Sequence, residues 1–237
     1  MKFRRKFMKE FTERHHAFIA ASFYKELVEN YGDQGEKAFV LAVQRYAEQR
    51  GSRMAQRAIR DNKELTFDVY REYGEWVSSE TIKNEGAVNV VEEVSFSPDY
   101  EIKILQCPWA AQFKKMNLAK AGIIYCTHLD KAIVRGFNPY LVFEVPQSIY
   151  EHNYCIQIMR GADFKKNQEI VRNAENIKQF DYHCGHCYKT FKDITTSIFK
   201  IKGEEIALKV LKDFAEEYGE EMAEKLFSYL KVDFNLI

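Results

Sequence analysis

The chain is predicted to be an α+β protein, with N- and C-terminal helices packed around a small antiparallel sheet. Three observations predict it. None of the four prolines falls within residues 1 to 82, so a run of helices is unbroken there. Between about 86 and 160, β-branched residues gather in short runs separated by turn residues. From 179 to 230 the apolar residues return to helical spacing. Helices, antiparallel strands and helices in that order argue against parallel βαβ units, which need regular alternation. At 237 residues, 46% hydrophobic and 14% aromatic, the chain can bury one core of ordinary density. We read 1–237 as one domain, with a helical part (1–82), a sheet with a central helix (86–160) and C-terminal helices (179–237).

Met1-Lys2-Phe3-Arg4-Arg5-Lys6 has the basic start of a signal peptide, but charges interrupt the apolar region that should follow, so it reads as an exposed helix start. Phe39, Val43 and Tyr46 follow helical spacing, and the stripe continues through Arg50, Arg53 and Arg57. Val88, Val90, Val91, Val94 and Phe96, then Ile102 and Ile104, form a hairpin around the turn Ser97-Pro98-Asp99. Leu118 to Arg135 reads as a helix ended by Gly136 and Asn138-Pro139. Leu141–Val145 and Tyr154–Met159 read as strands, and the polar segment 161–178 as a loop or lid with one short helix. In the last part Ala207, Val210, Leu211, Phe214 and Tyr218 make an amphipathic stripe. Tyr-Gly recurs at 31–32, 73–74 and 218–219 without a fixed interval, so the pairs read as helix ends and not as repeats.

Thirty-five Lys+Arg balance thirty-five Asp+Glu, which removes the electrostatic case for nucleic acid or an acidic membrane and favours a small-molecule partner. Five cysteines are an odd set with long gaps, unlike a secreted disulfide framework. No apolar run approaches the roughly 20 residues that span a bilayer, so the expected location is cytoplasmic. The amphipathic helices pack within one chain and leave a homodimer open.

Four constellations carry chemistry. Cys126 and Asp130, in Tyr125-Cys126-Thr127-His128-Leu129-Asp130, share one helix face, so a thiol and a carboxylate project together; an isolated pair is more often a buried thiol beside a solvated charge. Asp181 to Tyr188 holds His183, Cys184, His186 and Cys187, with the histidines one turn apart and the cysteines on a neighbouring face. A zinc site there lacks its second half, which would come from Cys107, Cys126 or Cys155; the bland alternative is histidines that hydrogen-bond inside a helix interface. Cys107-Pro108-Trp109 starts a helix with proline at its first position, where the dipole lowers a thiol pKa, unless Trp109 is a core anchor and Cys107 inert. Arg50, Arg53 and Arg57 either clamp a carboxylate or form a solvated face.

Taken together, Cys107-Pro108-Trp109, then Gly122-Ile123-Ile124-Tyr125-Cys126 with Asp130, then Gly136-Phe137-Asn138-Pro139, Cys155 and His183-x-x-His186-x-Tyr188 resemble the L-2-amino-thiazoline-4-carboxylic acid hydrolases, over roughly residues 35 to 220. The chain departs from that pattern in Cys184 and Cys187, which either recruit a metal or are small residues on the far side of a helix. The strand at Tyr154-Cys155-Ile156 also resembles the vinyl-reductase-type ligand-binding fold, a small sheet flanked by helices.

The resemblance implies opening of a cyclic amidine, 2-amino-Δ2-thiazoline-4-carboxylate, to N-carbamoyl-L-cysteine. The shared face of Cys126 and Asp130 and the histidine pair fit that reaction with Cys126 as nucleophile or beside an activated water, Asp130 holding the amidinium and His183 or His186 moving the proton, with Arg50 and Arg53 on the substrate carboxylate. Trp109, Tyr125 and Asn138 complete the expected substrate-binding set. The metal candidates are Cys107, Cys155, Cys184 and Cys187, with a divalent ion such as zinc as the cofactor they would hold. The alternative is a non-catalytic sensor using the same Cys/His pocket; a thiol redox protein built on Cys184-x-x-Cys187 lacks the βαβ context.

Overall fold

The computed structural model describes residues 10–169 and 171–237, so the basic start Met1–Lys6 lies outside the described residues. The elements follow the expected order: α1 (Glu13–Arg60), α2 (Phe67–Glu72), α3 (Glu80–Asn84), β1 (Val90–Ser95), β2 (Tyr100–Gln106), α4 (Pro108–Lys115), α5 (Ala119–Phe137), β3 (Phe143–Gln147), β4 (Cys155–Met159), α6 (Phe180–Phe199), α7 (Ile201–Tyr218) and α8 (Glu220–Ser228). The four strands form one antiparallel sheet in the order β1-β2-β4-β3, which makes the chain α+β. The segment before α6 carries a single 3-10 turn at Ala174–Asn176. Among the described residues no helix is long and apolar enough to cross a membrane.

Helix α1 runs for 48 residues because neither proline nor a turn cluster stops it, and it is interrupted where Gly32 takes φ 51°. The other Tyr-Gly pairs also fall at helix ends: Tyr73 caps α2, and Gly219 (φ 104°) separates α7 from α8.

Gly136 is not the terminator that the sequence suggests. It lies inside α5, which continues to Phe137 and stops at the extended Asn138 before Pro139. Its role is close approach: a Cβ on Gly136 would stand 2.4 Å from the Glu48 carbonyl, and one on Gly51 would stand 1.9 Å from that of Ile133. The backbones of α1 and α5 therefore touch at their crossing, and Arg50 of α1 comes within electrostatic reach of Asp130 on α5.

On its other side α1 packs on α6 and α7 through Phe23, Phe39, Phe191 and Phe214, each fully buried. Each such burial stabilises by roughly 1.5–3 kcal/mol. Between α1 and α5 the contact is Ala47, Met54, Ala132 and Phe137, with Tyr73 from the end of α2 beside them, and α5 meets the sheet through Val134, Phe143 and Tyr100. Helix α1 is thus central, and α4, α5 and α6 present their polar residues to its middle.

Candidate functional site

The arginine stripe is buried, not solvated. Arg50, Arg53 and Arg57 converge on the carboxylate of Glu75, which follows α2 and is itself 0% exposed. Arg53 donates to both carboxylate oxygens, Nε at 3.1 Å and Nη2 at 2.8 Å, and its Nη1 donates to the Phe234 carbonyl. Arg57 Nη1 donates at 2.7 Å. Burial raises the Glu75 pKa, but the charge and hydrogen bonds of Arg53, with Arg50 and His183 behind them, outweigh it and hold the group at about 2. Arg53 is therefore committed to a structural ion pair. Arg50 stands 4.0 Å from Glu75, and its buried Nε has no hydrogen-bond partner.

His183 and His186 face the same region from α6 but differ in freedom. His186 places Nε2 2.9 Å from Gln49 Oε1 and Nδ1 3.5 Å from Arg53 Nη2, and its ring stacks on Phe234. Both nitrogens are engaged. His183 places Nε2 3.2 Å from the Glu75 backbone oxygen, while its buried Nδ1 has no partner. A carbonyl only accepts, so Nε2 carries the hydrogen and Nδ1 presents a lone pair. Burial, then the charge of Arg50, holds His183 neutral down to about 3. Between and beside them, Cys184 and Cys187 are 0% exposed in the helix core. Tyr188 donates to the Ala207 carbonyl.

On α5, Cys126 and Asp130 share a face as their spacing predicts, and both keep some exposed surface. Gln157 of β4 donates to Asp130 at 2.9 Å. Burial pushes Asp130 up to about 6, with Arg50 opposing. Gly122 leaves room for the Tyr150 ring beside Cys126, since a Cβ there would stand 2.2 Å from it. Burial pushes the Cys126 thiol well up, and Cys107 and Asp130 add to this. At Cys107 the free amides of Trp109 and Ala110 lower the pKa in the expected sense, but burial is larger and leaves it at about 11. Cys155 Sγ accepts from Ile149 N.

Trp109 and Tyr125 meet at a residue that sequence reasoning missed, His16. The Trp109 indole donates to His16 Nδ1 at 3.1 Å, the Tyr125 hydroxyl lies 3.4 Å from the same atom, and Nε2 lies 2.9 Å from the Tyr46 hydroxyl. Because the indole can only donate, Nδ1 accepts and Nε2 carries the hydrogen. Burial first, then His183 and Arg50, holds His16 neutral. Glu75 and Gln49 were missed too. Their only signal is adjacency, Gln49 to Arg50 and Glu75 to Trp76, because the partners they select lie far along the chain.

Asn138 is not brought into this set. Its side chain donates to the Leu65 carbonyl and accepts from Tyr140 N, which fixes the turn after α5. Arg50, Trp109, Tyr125, Cys126, Asp130 and His183 remain as a polar cluster where α1, α4, α5 and α6 meet. Among the described residues no three His, Cys, Asp or Glu side chains group as metal ligands. The set holds a cation whose Nε has no hydrogen-bond partner, a carboxylate whose pKa burial raises to about 6, and a neutral imidazole with a free lone pair. These are parts for binding an anion and moving a proton.

Comparison with known proteins finds no match among curated proteins or solved structures, so the vinyl-reductase likeness has no counterpart there. A family model described as L-2-amino-thiazoline-4-carboxylic acid hydrolase matches residues 11–155. The match begins earlier than the sequence resemblance did and ends before His183-x-x-His186. It takes in His16, Arg50, Glu75, Trp109, Cys126 and Asp130. More than half of the chain lies within the match, and the chain belongs to the L-2-amino-thiazoline-4-carboxylic acid hydrolase family.

Proposed function

We propose that the chain is a hydrolase that opens a small cyclic amidine bearing a carboxylate, such as 2-amino-thiazoline-4-carboxylate to N-carbamoyl-L-cysteine. Family membership supports the reaction type. The observation that carries the reading is Arg50: alone of the α1 stripe it is not hydrogen-bonded to Glu75, and Asp130 feels its charge. In this reading Arg50 receives the substrate carboxylate and leaves the amidine beside Asp130 and Cys126.

One water is consumed. The substrate enters as its amidinium, with the ring nitrogen already protonated; the water oxygen bonds to the amidine carbon, the carbon–sulfur bond breaks with its electron pair on sulfur, one water proton finishes on the sulfur and the other is released to solvent. Asp130, with a pKa near 6, takes a proton from the water and returns it to the departing sulfur. A nucleophilic thiol needs a depressed pKa, and that of Cys126 is raised, so the reading favours attack by water with Cys126 as a neighbour of the reacting carbon.

The test is a mass-spectrometric assay of the purified protein with 2-amino-thiazoline-4-carboxylate and related cyclic amidines, with and without chelator. Formation of the N-carbamoyl amino acid is the expected result. Saturable binding without turnover of any of them would move the protein to a ligand-binding module.

A further inference from the structure

Arg50 Nε and His183 Nδ1 are among the described buried polar atoms without a hydrogen-bond partner, and they are complementary. Arg50 Nε is a donor with no acceptor, in a side chain 9% exposed. His183 Nδ1 is an acceptor with no donor, in a residue 2% exposed. Both flank Glu75: Arg50 stands 4.0 Å from its carboxylate and His183 3.2 Å from its backbone oxygen. Buried polar groups in folded proteins are almost always satisfied, so an orphaned donor and an orphaned acceptor around one residue, each within electrostatic reach of the other, mark what a ligand must bring.

The His183 tautomer cannot adjust to suit another ligand. Its Nε2 faces a carbonyl that only accepts, so the hydrogen stays on Nε2 and the lone pair on Nδ1. Arg50, Arg53 and the burial of the ring all oppose a second proton. The imidazole is thus a fixed acceptor and not a proton carrier.

We infer that Arg50 and His183 together read a ligand in which an N–H donor lies next to a carboxylate, the pattern of a cyclic α-amino or amidinium acid. His183 is on this view a specificity-determining residue whose Nδ1 accepts from the ring N–H while Arg50 holds the carboxylate. The inference rests on the reading of this cluster as the substrate site. It adds that a ring without the N–H is rejected even when its carboxylate is intact, because Nδ1 would be left buried and bare.

The test compares two probes that differ in one group, L-pyroglutamate (ring N–H) and (S)-5-oxotetrahydrofuran-2-carboxylate (ring O). Binding to the full-length protein is measured by calorimetry. The wild type is expected to prefer the lactam by about tenfold or more. His183→Gln keeps an amide N–H toward the Glu75 carbonyl but has no acceptor in the Nδ1 position, so its preference falls to about one while carboxylate binding persists. Arg50→Gln weakens both probes alike.

Equal affinities in the wild type, no binding of either probe, or an unchanged preference in His183→Gln would overturn the inference; the wild-type ratio decides even if a variant does not fold. The hydrolase reading is judged separately. Lactam preference without amidine turnover keeps this inference and removes that reading, and turnover without lactam preference does the reverse.

Discussion

Arg53 Nη2 lies 2.8 Å from Glu75 Oε2, with both side chains wholly excluded from solvent. The pair joins α1 to the segment after α2, and Arg57 shares the same carboxylate. A buried pair of this kind is most informative when one partner is removed, because the charge left behind has no solvent to turn to. Glu75→Gln is therefore expected to lose about 3–5 kcal/mol of unfolding free energy. Urea denaturation checks it, and a loss under about 1 kcal/mol would mean that water reaches the cluster.

Acid stability follows from the same cluster. His183, His16 and His186 have pKa values below the ordinary value of 6.5, so the unfolded chain binds their protons first as pH falls. Each contributes stability that is full above 6.5 and declines below it by about 1.4 kcal/mol per pH unit. For His183 the decline continues to about 3. Glu75 acts in the same sense from 4.5 down to about 2. Asp130, raised from 3.8 to about 6, works the other way, since its folded form takes the proton more readily. Unfolding free energy should thus fall between pH 6 and 4, more steeply in Asp130→Asn and less steeply in His183→Gln. Denaturation curves at stepped pH give the slopes, and three identical slopes would refute the assignment.

The choice between carboxylate and thiol is settled by two variants. Asp130→Asn is expected to lower kcat about 100-fold or more, the usual scale of a general base. Cys126→Ala should stay within about tenfold of the wild type, as a thiol beside the reacting carbon and not a nucleophile would. The wild-type kcat/KM should fall as pH drops below about 6, where Asp130 gains its proton. A dead Cys126→Ala enzyme that still folds would restore the covalent route.

The crossing of α1 and α5 makes Gly136→Ala a sensitive probe. Helix propensity favours alanine by about 1 kcal/mol, yet its Cβ would meet the Glu48 carbonyl. The clash is expected to win, with a net loss of about 1–3 kcal/mol. A thermal melt reads it directly, and a stabilised variant would show that the helices can separate without cost.

Asn138→Ala should lower stability by about 1–2 kcal/mol through loss of the clamp on Leu65 and Tyr140. KM should stay within about twofold of the wild type. A tenfold rise in KM at unchanged stability would return Asn138 to the substrate site.

By itself the sequence determined the local structure and much of the residue list. Helical and extended segments are dictated by periodicity and punctuation within a few residues, so the hairpin, the span of α5 and the three Tyr-Gly breaks could be read before any contact was known. The one-turn spacing of Cys126 with Asp130 and of His183 with His186 is a property of any helix, and it too was legible.

Only the tertiary structure decided which of these groups are free. Arg50, Arg53 and Arg57 are equivalent on a helix; Glu75, brought in from another segment, hydrogen-bonds to two of them and leaves Arg50. His183 and His186 look alike until Gln49 and Arg53 occupy one ring and a single carbonyl the other. Gly136 reads as a stop signal until Glu48 is found against it. His16 carries no mark at all, because its partners Tyr46, Trp109 and Tyr125 lie 30, 93 and 109 residues away. Protonation and hydrogen-bond vacancy are set by what surrounds an atom in space, and that depends on contacts between segments that no local pattern records.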